Sequence, residues 1–144
     1  MPGEIFRYSQ RVTYSHCTIG DHVYYSRYLD ILEAARGEFF RALGDSFTDW
    51  QQRGVIFPVI ECQLAYKAPA RYDDVLLIDL WVTSAERARL NFGCRITLED
   101  QTVILEGQTF HVCTDLANKP KRLPEDLRAR LQPFLADGSG ADHS

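Results

Sequence analysis

The sequence predicts an α+β domain in which one long helix lies across a mainly antiparallel sheet. Three observations carry this. Apolar residues alternate along five separate stretches, the mark of half-buried strands. Between the first stretch and the second, the apolar period changes to three and four, the mark of a helix. The last four stretches then come one directly after another, which favours antiparallel pairing.

The first stretch sets Phe6, Tyr8, Val12 and Tyr14 against Arg7, Arg11, Thr13 and Ser15, with the apolar members expected on the buried side. From Ser26 onward, Tyr28, Leu32, Ala35, Phe39 and Leu43 form one helical stripe. Ser26 suits an N-cap and Gly44 a C-terminal stop. Such a helix is about 27 Å long, enough to cross a small sheet. "DSFTDWQQRG" is next, a short helix capped by Ser46 and ended by Gly54. Then comes "VIFPVIECQLAYK", where Pro58 marks an edge strand or an irregular start. "VLLIDLWVTS" puts Leu76, Ile78, Leu80 and Val82 on one side. "RARLNFGCRITLE" alternates most cleanly, through Leu90, Phe92, Cys94, Ile96 and Leu98. "EDQ" suits a hairpin into "QTVILEGQTFHVCTD". Pro124 opens a terminal helix with Glu125 and Asp126 in its first turn and Leu127, Leu131 and Phe134 on its apolar side.

A chain of 144 residues fits one domain, assigned to 1–135, with the small polar segment 136–144 expected as a disordered tail. Sixteen basic and 20 acidic residues leave a net charge of −4, so no nucleic-acid or membrane-surface footprint is expected. No window has the apolar length of a membrane span, and the first residues hold no apolar signal core. Cys17, Cys62, Cys94 and Cys113 show no paired metal spacing and read as reduced thiols of a cytoplasmic protein.

The unusual stretch is the polar knot His16, Cys17, Thr18, Asp21 and His22, set where a strand hands over to the long helix. From Ser15 through the knot to Gly44 the chain reads "SHCTIGDHVYYSRYLDILEAARGEFFRALG". That resembles the "hCDpaGivyypnYl" and "le.aR..ff...G" motifs of the 4-hydroxybenzoyl-CoA thioesterase branch of the acyl-CoA thioesterases. "YKAPARYDD" at 66–74 and "NKPKRLP" at 118–124 match two further features of that branch. The resemblance spans about residues 6–135. It implies the hot-dog fold, a curled antiparallel five-stranded sheet around one central helix, with a short C-terminal helix. It also implies hydrolysis of an acyl-CoA or aryl-CoA thioester.

Thioester hydrolysis needs donors for the carbonyl oxygen and a carboxylate that attacks or activates water. A helix N-terminus supplies the donors from its unpaired amides. The resemblance places this role on the backbone N–H at or near Tyr25. It also places the family's catalytic Asp where this chain has Thr18, whose hydroxyl cannot act as a base. Asp21, in the same loop, is one replacement, or else a turn carboxylate. Glu33, two turns into the helix, is another. It is expected half-buried on a stripe with Leu29, Arg36 and Phe40, or simply paired with Arg36. His16 and His22 serve either as polar partners or as bases. A Cys17–His16 nucleophile is disfavoured because strand neighbours face opposite sides. No metal is implied, since the spacings of His16, Cys17, His22 and His111 match no standard site.

Lys119, Lys121 and Arg122 form the densest basic cluster; the resemblance implies that they meet the CoA phosphates, with Lys67 and Arg71 as second candidates, or else they form a solvated loop that neutralises the C-terminal segment. Tyr24, Tyr25, Tyr28, Trp50, Phe57 and Trp81 offer aromatic walls for the acyl group. No cofactor is implied beyond the thioester substrate, carried on CoA or an acyl carrier protein. The resemblance implies a homodimer or homotetramer joined at sheet edges. Two other functions fit the residues: a hydratase or dehydratase centred on His16 or His22, and a catalytically silent thioester-binding module, which Thr18 would favour.

Overall fold

The computed structural model describes residues 3–136. The expected disordered tail therefore lies outside the described residues, apart from Ala136. Five strands form one antiparallel sheet in the order β1-β5-β6-β7-β4, and β2 and β3 form a separate small hairpin. The strands are β1 (Phe6–Arg11), β2 (Cys17–Thr18), β3 (His22–Val23), β4 (Val59–Tyr66), β5 (Val75–Glu86), β6 (Arg89–Thr97) and β7 (Val103–Val112). The helices are α1 (Arg27–Leu43), α2 (Phe47–Gln52) and α3 (Glu125–Leu131).

The 17-residue helix α1 buries Tyr28, Ile31, Leu32, Ala35, Arg36, Phe39 and Phe40. Six of these are apolar and lie at helical spacing, so the expected stripe is the packed face. Opposite it, Leu76, Ile78, Leu80 and Val82 of β5 and Leu90, Phe92, Cys94 and Ile96 of β6 are buried. Phe39 joins the layers. Its ring stacks on Phe6 with centroids 5.0 Å apart and meets Phe92 and Phe134 edge-on at 5.9 and 4.8 Å. Gly44 ends α1 at φ 118, a left-handed conformation that glycine adopts without strain. Ser46 caps α2 by accepting the Asp49 amide, while Asp49 accepts the Ser46 amide, a reciprocal box.

Three expectations need correction. Tyr14 does not continue the first strand inward. That strand stops at Arg11, and Tyr14 lies in a 3₁₀ turn, 74% exposed and stacked on Tyr72. Trp81 offers no wall to the helix side. It alternates out of the Leu80–Val82 face and lies over Gly93, where any Cβ would collide with its ring. Ser26 sits at the N-cap position, yet its side chain makes no cap hydrogen bond.

β4 pairs with β7 alone and leaves its other edge open. Val59, Ile60 and Tyr66 on this edge are 45%, 65% and 47% exposed. Pro58 immediately precedes the strand, as expected at an edge. An open edge with large apolar side chains is a pairing surface.

Candidate active site

The polar knot folds as a hairpin pinned at both sides. Cys17 and Thr18 pair with Val23 and His22. The intervening turn closes through the Asp21 amide, which donates to Thr18 O at 3.1 Å. Gly20 takes φ 94 and Asp21 φ 60, positive values that Gly allows freely and Asp tolerates. Arg71 donates to Gly20 O and its backbone bridges His22, so this side chain holds the turn. His16 turns its Nδ1 back toward the Thr13 amide at 3.2 Å and not toward Cys17. The Cys17 thiol lies instead near Thr13 O, and its pKa is raised by burial and then by the charge of Asp21.

This hairpin delivers the chain to the start of α1 in a defined orientation. The Tyr24 amide donates to His16 O at 2.9 Å, and Tyr24 O accepts from the Arg27 amide at 2.8 Å. A trans peptide points its N–H opposite to its C=O. Tyr24 O points into the helix, so the Tyr25 N–H points out of its N-terminus. Tyr66 Oη, donating at 3.3 Å to Tyr25 O, steadies the next peptide. Among the described residues the Tyr25 amide meets no acceptor. The missing Ser26 side-chain cap is consistent with this, because a filled cap would occupy the end of the helix. Tyr24, Tyr25, Tyr28 and Tyr66 form an aromatic group around it, with ring centroids 4.7 to 6.4 Å apart. Tyr28 is buried and its hydroxyl accepts the Ala70 amide, so its role is to anchor the 66–74 connection.

A cavity of about 360 Å³ lies beside the middle and C-terminal half of α1. Phe40, Phe47, Phe57 and Phe92 supply its apolar walls, with Glu33, Arg36 and His111 as its ionisable groups. The Phe57 and Phe40 rings pack against each other in its wall, with centroids 5.3 Å apart. Glu33 is exposed, not half-buried, and it makes no ion pair with Arg36 among the described residues. Arg36 is 92% buried, from a relative exposure of 8%. Among the described residues its guanidinium meets no acceptor, and desolvation lowers its pKa. A guanidinium remains charged even so.

His111 shares its ring between Phe57 O at 3.2 Å and Thr109 Oγ1 at 3.0 Å. Burial, helped by the nearby Arg36 charge, pushes its pKa down to about 4. The unfolded chain would hold a proton on this ring up to the ordinary value near 6.5. Between those values the unfolded state binds more protons, so stability should fall as pH drops from about 6.5 toward 4. The loss is on the order of 3 kcal/mol once both values are passed. Denaturant titrations across this range should show an acid limb that His111→Gln flattens.

His111 also borders a second groove, of about 520 Å³, lined by Ile60, Arg87, Arg89 and Val112. A third, of about 290 Å³, continues past Arg87 to Arg122 and Arg128, with Glu86 and Glu125 among its walls. Arg87 and Arg89 from the turn between β5 and β6 thus meet Arg122 and Arg128 from the C-terminal segment in a band that adjoins the aromatic cavity at His111, with Arg128 paired to Glu125 at 3.4 Å. Arg122 comes from the basic cluster that the sequence marks. Lys119 and Lys121 are exposed nearby but line none of these grooves, and Lys67 is exposed at the end of β4. Arg87, Arg89 and Arg128 are scattered in sequence, and only "ERAR" flanking a turn hints at them. Thr18 and Asp21 are both exposed on the hairpin. Among the described residues, no three His, Cys, Asp or Glu side chains gather as a metal site.

The sequence and the fold of this chain match known proteins. A model of the thioesterase-like superfamily matches residues 12–131. The chain belongs to that superfamily. The acyl-CoA thioester hydrolase YbgC of Escherichia coli is 34% identical over 129 residues, covering 89% of this chain and 96% of that one. The 1,4-dihydroxy-2-naphthoyl-CoA hydrolase of Synechococcus elongatus is 31% identical over 113 residues, covering 76% and 82%. Among solved structures, Slr0204, a 1,4-dihydroxy-2-naphthoyl-CoA thioesterase from Synechocystis, superposes with a TM-score of 0.83 at 23% identity. That match covers 90% of this chain and 96% of Slr0204, and it bears out the hot-dog fold. Among the described residues no helix is long and apolar enough to cross a membrane.

Proposed function

We propose that this chain hydrolyses an acyl-CoA or aryl-CoA thioester to the free acid and CoA. The observation that carries the reading is the Tyr25 amide, aimed out of the α1 N-terminus with no acceptor of its own among the described residues. A thioester oxygen placed there gains a hydrogen bond that strengthens as negative charge develops on it. The relatives named as acyl-CoA hydrolases support the substrate class.

The parts lie too far apart for one copy to use them alone. Tyr25 and Arg36 are separated by about 16 Å along the helix axis. Tyr25 lies at the Tyr66 end of β4, whereas the cavity and the basic band lie at the Phe57 end. Two copies joined antiparallel along the open β4 edges would exchange these ends. The amide of one copy would then face the cavity of the other, so the working unit is a homodimer, alone or within a tetramer. The CoA phosphates would lie along Arg87, Arg89, Arg122 and Arg128, and the acyl group would enter the aromatic cavity.

Thr18 cannot replace a carboxylate, so another acid must activate the water. Glu33 is the better placed, because it lines the cavity while Asp21 sits on an exposed turn. Thr18 and His16 would order the hairpin and its water by hydrogen bonds. The reaction uses no cofactor, and a reducing compartment such as the cytoplasm suits the four free thiols.

A free-thiol assay over a panel of acyl-CoAs tests this. Glu33→Gln should lower kcat by about 10²- to 10⁴-fold, the usual contribution of a general base. A loss confined to Asp21→Asn would transfer the role to Asp21. Full turnover in both variants would remove either carboxylate from the mechanism. The presence of Thr18 favours one other reading, a silent binding module. That reading holds if Thr18→Asp creates activity in a protein that has none.

A further inference from the structure

Among the described residues, Arg36 is a buried charged side chain with no hydrogen-bond or ion-pair partner. It lies within the apolar stripe of α1, flanked at i−4 and i+4 by Leu32 and Phe40, both buried. Removing a guanidinium from water is costly unless an acceptor replaces the lost hydration. None does so among the described residues. Glu33 lies beyond ion-pair reach, and the thiols of Cys62 and Cys94 are the other groups whose charge bears on Arg36. The Cys94 thiol is pushed up to about 12, so it is neutral. His111 is neutral near pH 7 and its two ring nitrogens are already engaged. Yet Arg36 is not sealed in protein, because it forms part of the cavity wall. Four phenylalanines and one unpaired cation, with Glu33 on the exposed shoulder, make a pocket for an apolar body with an anionic end.

We propose that Arg36 is a specificity-determining residue. It selects acyl groups whose far end carries a carboxylate, received by the guanidinium after the apolar part has filled the aromatic cavity. A carboxylate matches the planar fork in paired hydrogen bonds, and the low-dielectric walls strengthen them. Nothing in the assigned chemistry needs this cation: the oxyanion belongs to the Tyr25 amide and the CoA phosphates to the open arginine band. The inference deepens the thioesterase reading, since it treats the cavity as the acyl pocket.

A matched pair of substrates of nearly equal shape tests it, 4-carboxybenzoyl-CoA against 4-methylbenzoyl-CoA. The wild type should favour the carboxylated member in kcat/KM. Arg36→Met should lower that preference by roughly tenfold to a hundredfold, the span expected for a charged hydrogen bond. Arg36→Lys, which keeps the charge but loses the fork, should fall between. The corresponding non-hydrolysable thioethers, 4-carboxyphenacyl-CoA and 4-methylphenacyl-CoA, measure binding by calorimetry without any turnover. If the thioethers show the Arg36-dependent preference while no thioester is cleaved, hydrolysis falls and the specificity role stands. The proposal is overturned if Arg36→Met weakens both ligands equally. It is also overturned if the variant changes only the dimer dissociation constant in sedimentation, since a second copy would then be what satisfies the guanidinium.

Discussion

Tyr25→Pro should reduce thioester cleavage by about 10²- to 10³-fold, the usual loss when an oxyanion donor is removed. The substitution deletes one N–H and leaves the rest of the helix able to form. Tyr25 precedes the Ser26 N-cap, outside the intrahelical hydrogen-bond ladder, so proline there removes no helix bond. The Tyr25 amide meets no acceptor among the described residues, so no native hydrogen bond is broken. Tyr25 O would still accept from Tyr66. Tyr25→Phe is the reference, because it alters the side chain and keeps the amide. The loss should fall on kcat and far exceed that of the phenylalanine variant. Binding of a phenacyl-CoA thioether should change little, because its ground-state contacts lie mainly in the cavity and the arginine band. A proline variant as fast as the phenylalanine variant would move the oxyanion elsewhere. Circular dichroism on both proteins would show whether α1 is intact.

The legibility of this site differs from residue to residue for physical reasons. The stripe from Tyr28 to Phe39 can be read because a helix with one buried face repeats its apolar residues at a fixed period. Likewise, β5 and β6 can be read because one face of each is buried against α1. The β2–β3 hairpin cannot. Strands of two residues carry no period, and the positive φ of Asp21 leaves no mark in a sequence beyond its neighbour Gly20. Tyr14 keeps the alternation but loses the strand, because the Thr13–His16 turn competes for the backbone. Glu33 lies shallower than its stripe suggests. Its neighbours Arg36 and Phe40 are buried, whereas it stands on the open shoulder of the helix. The arginine band needs the fold itself, because Arg87 and Arg122 are brought together by the Leu123 amide donating to Arg87 O. Arg36 is visible in the sequence as a charge inside an apolar stripe, and its significance emerges only with the cavity beside it.

Phe39→Ala should be the most destabilising single truncation in the fold, by about 3–5 kcal/mol. Phe39 is 0% exposed and touches three aromatic partners from three different elements. Removing its ring forfeits transfer energy and leaves a void bounded by Phe6, Phe92 and Phe134. Collapse into that void is hindered because Phe6 and Phe92 belong to hydrogen-bonded strands. For a chain of this length, such a loss should lower Tm by roughly 10–15 °C. Tyr14→Ala gives the contrast. Tyr14 also stacks on an aromatic ring, but it is 74% exposed, so the change should fall within about 1 kcal/mol. Both melts should be run at one protein concentration, because a dimer adds a concentration-dependent increment to Tm. The effect should also reach the site. Phe39 fixes the height of α1 over β1 and β6, and the Tyr25 amide is aimed by the same rigid helix. Below its melting point, Phe39→Ala should therefore lose kcat as well as stability, since a small misplacement of an oxyanion donor is costly. If Phe39→Ala melted like the wild type, α1 would be held by contacts other than this aromatic cluster, and the aim of its N-terminus would need a different explanation.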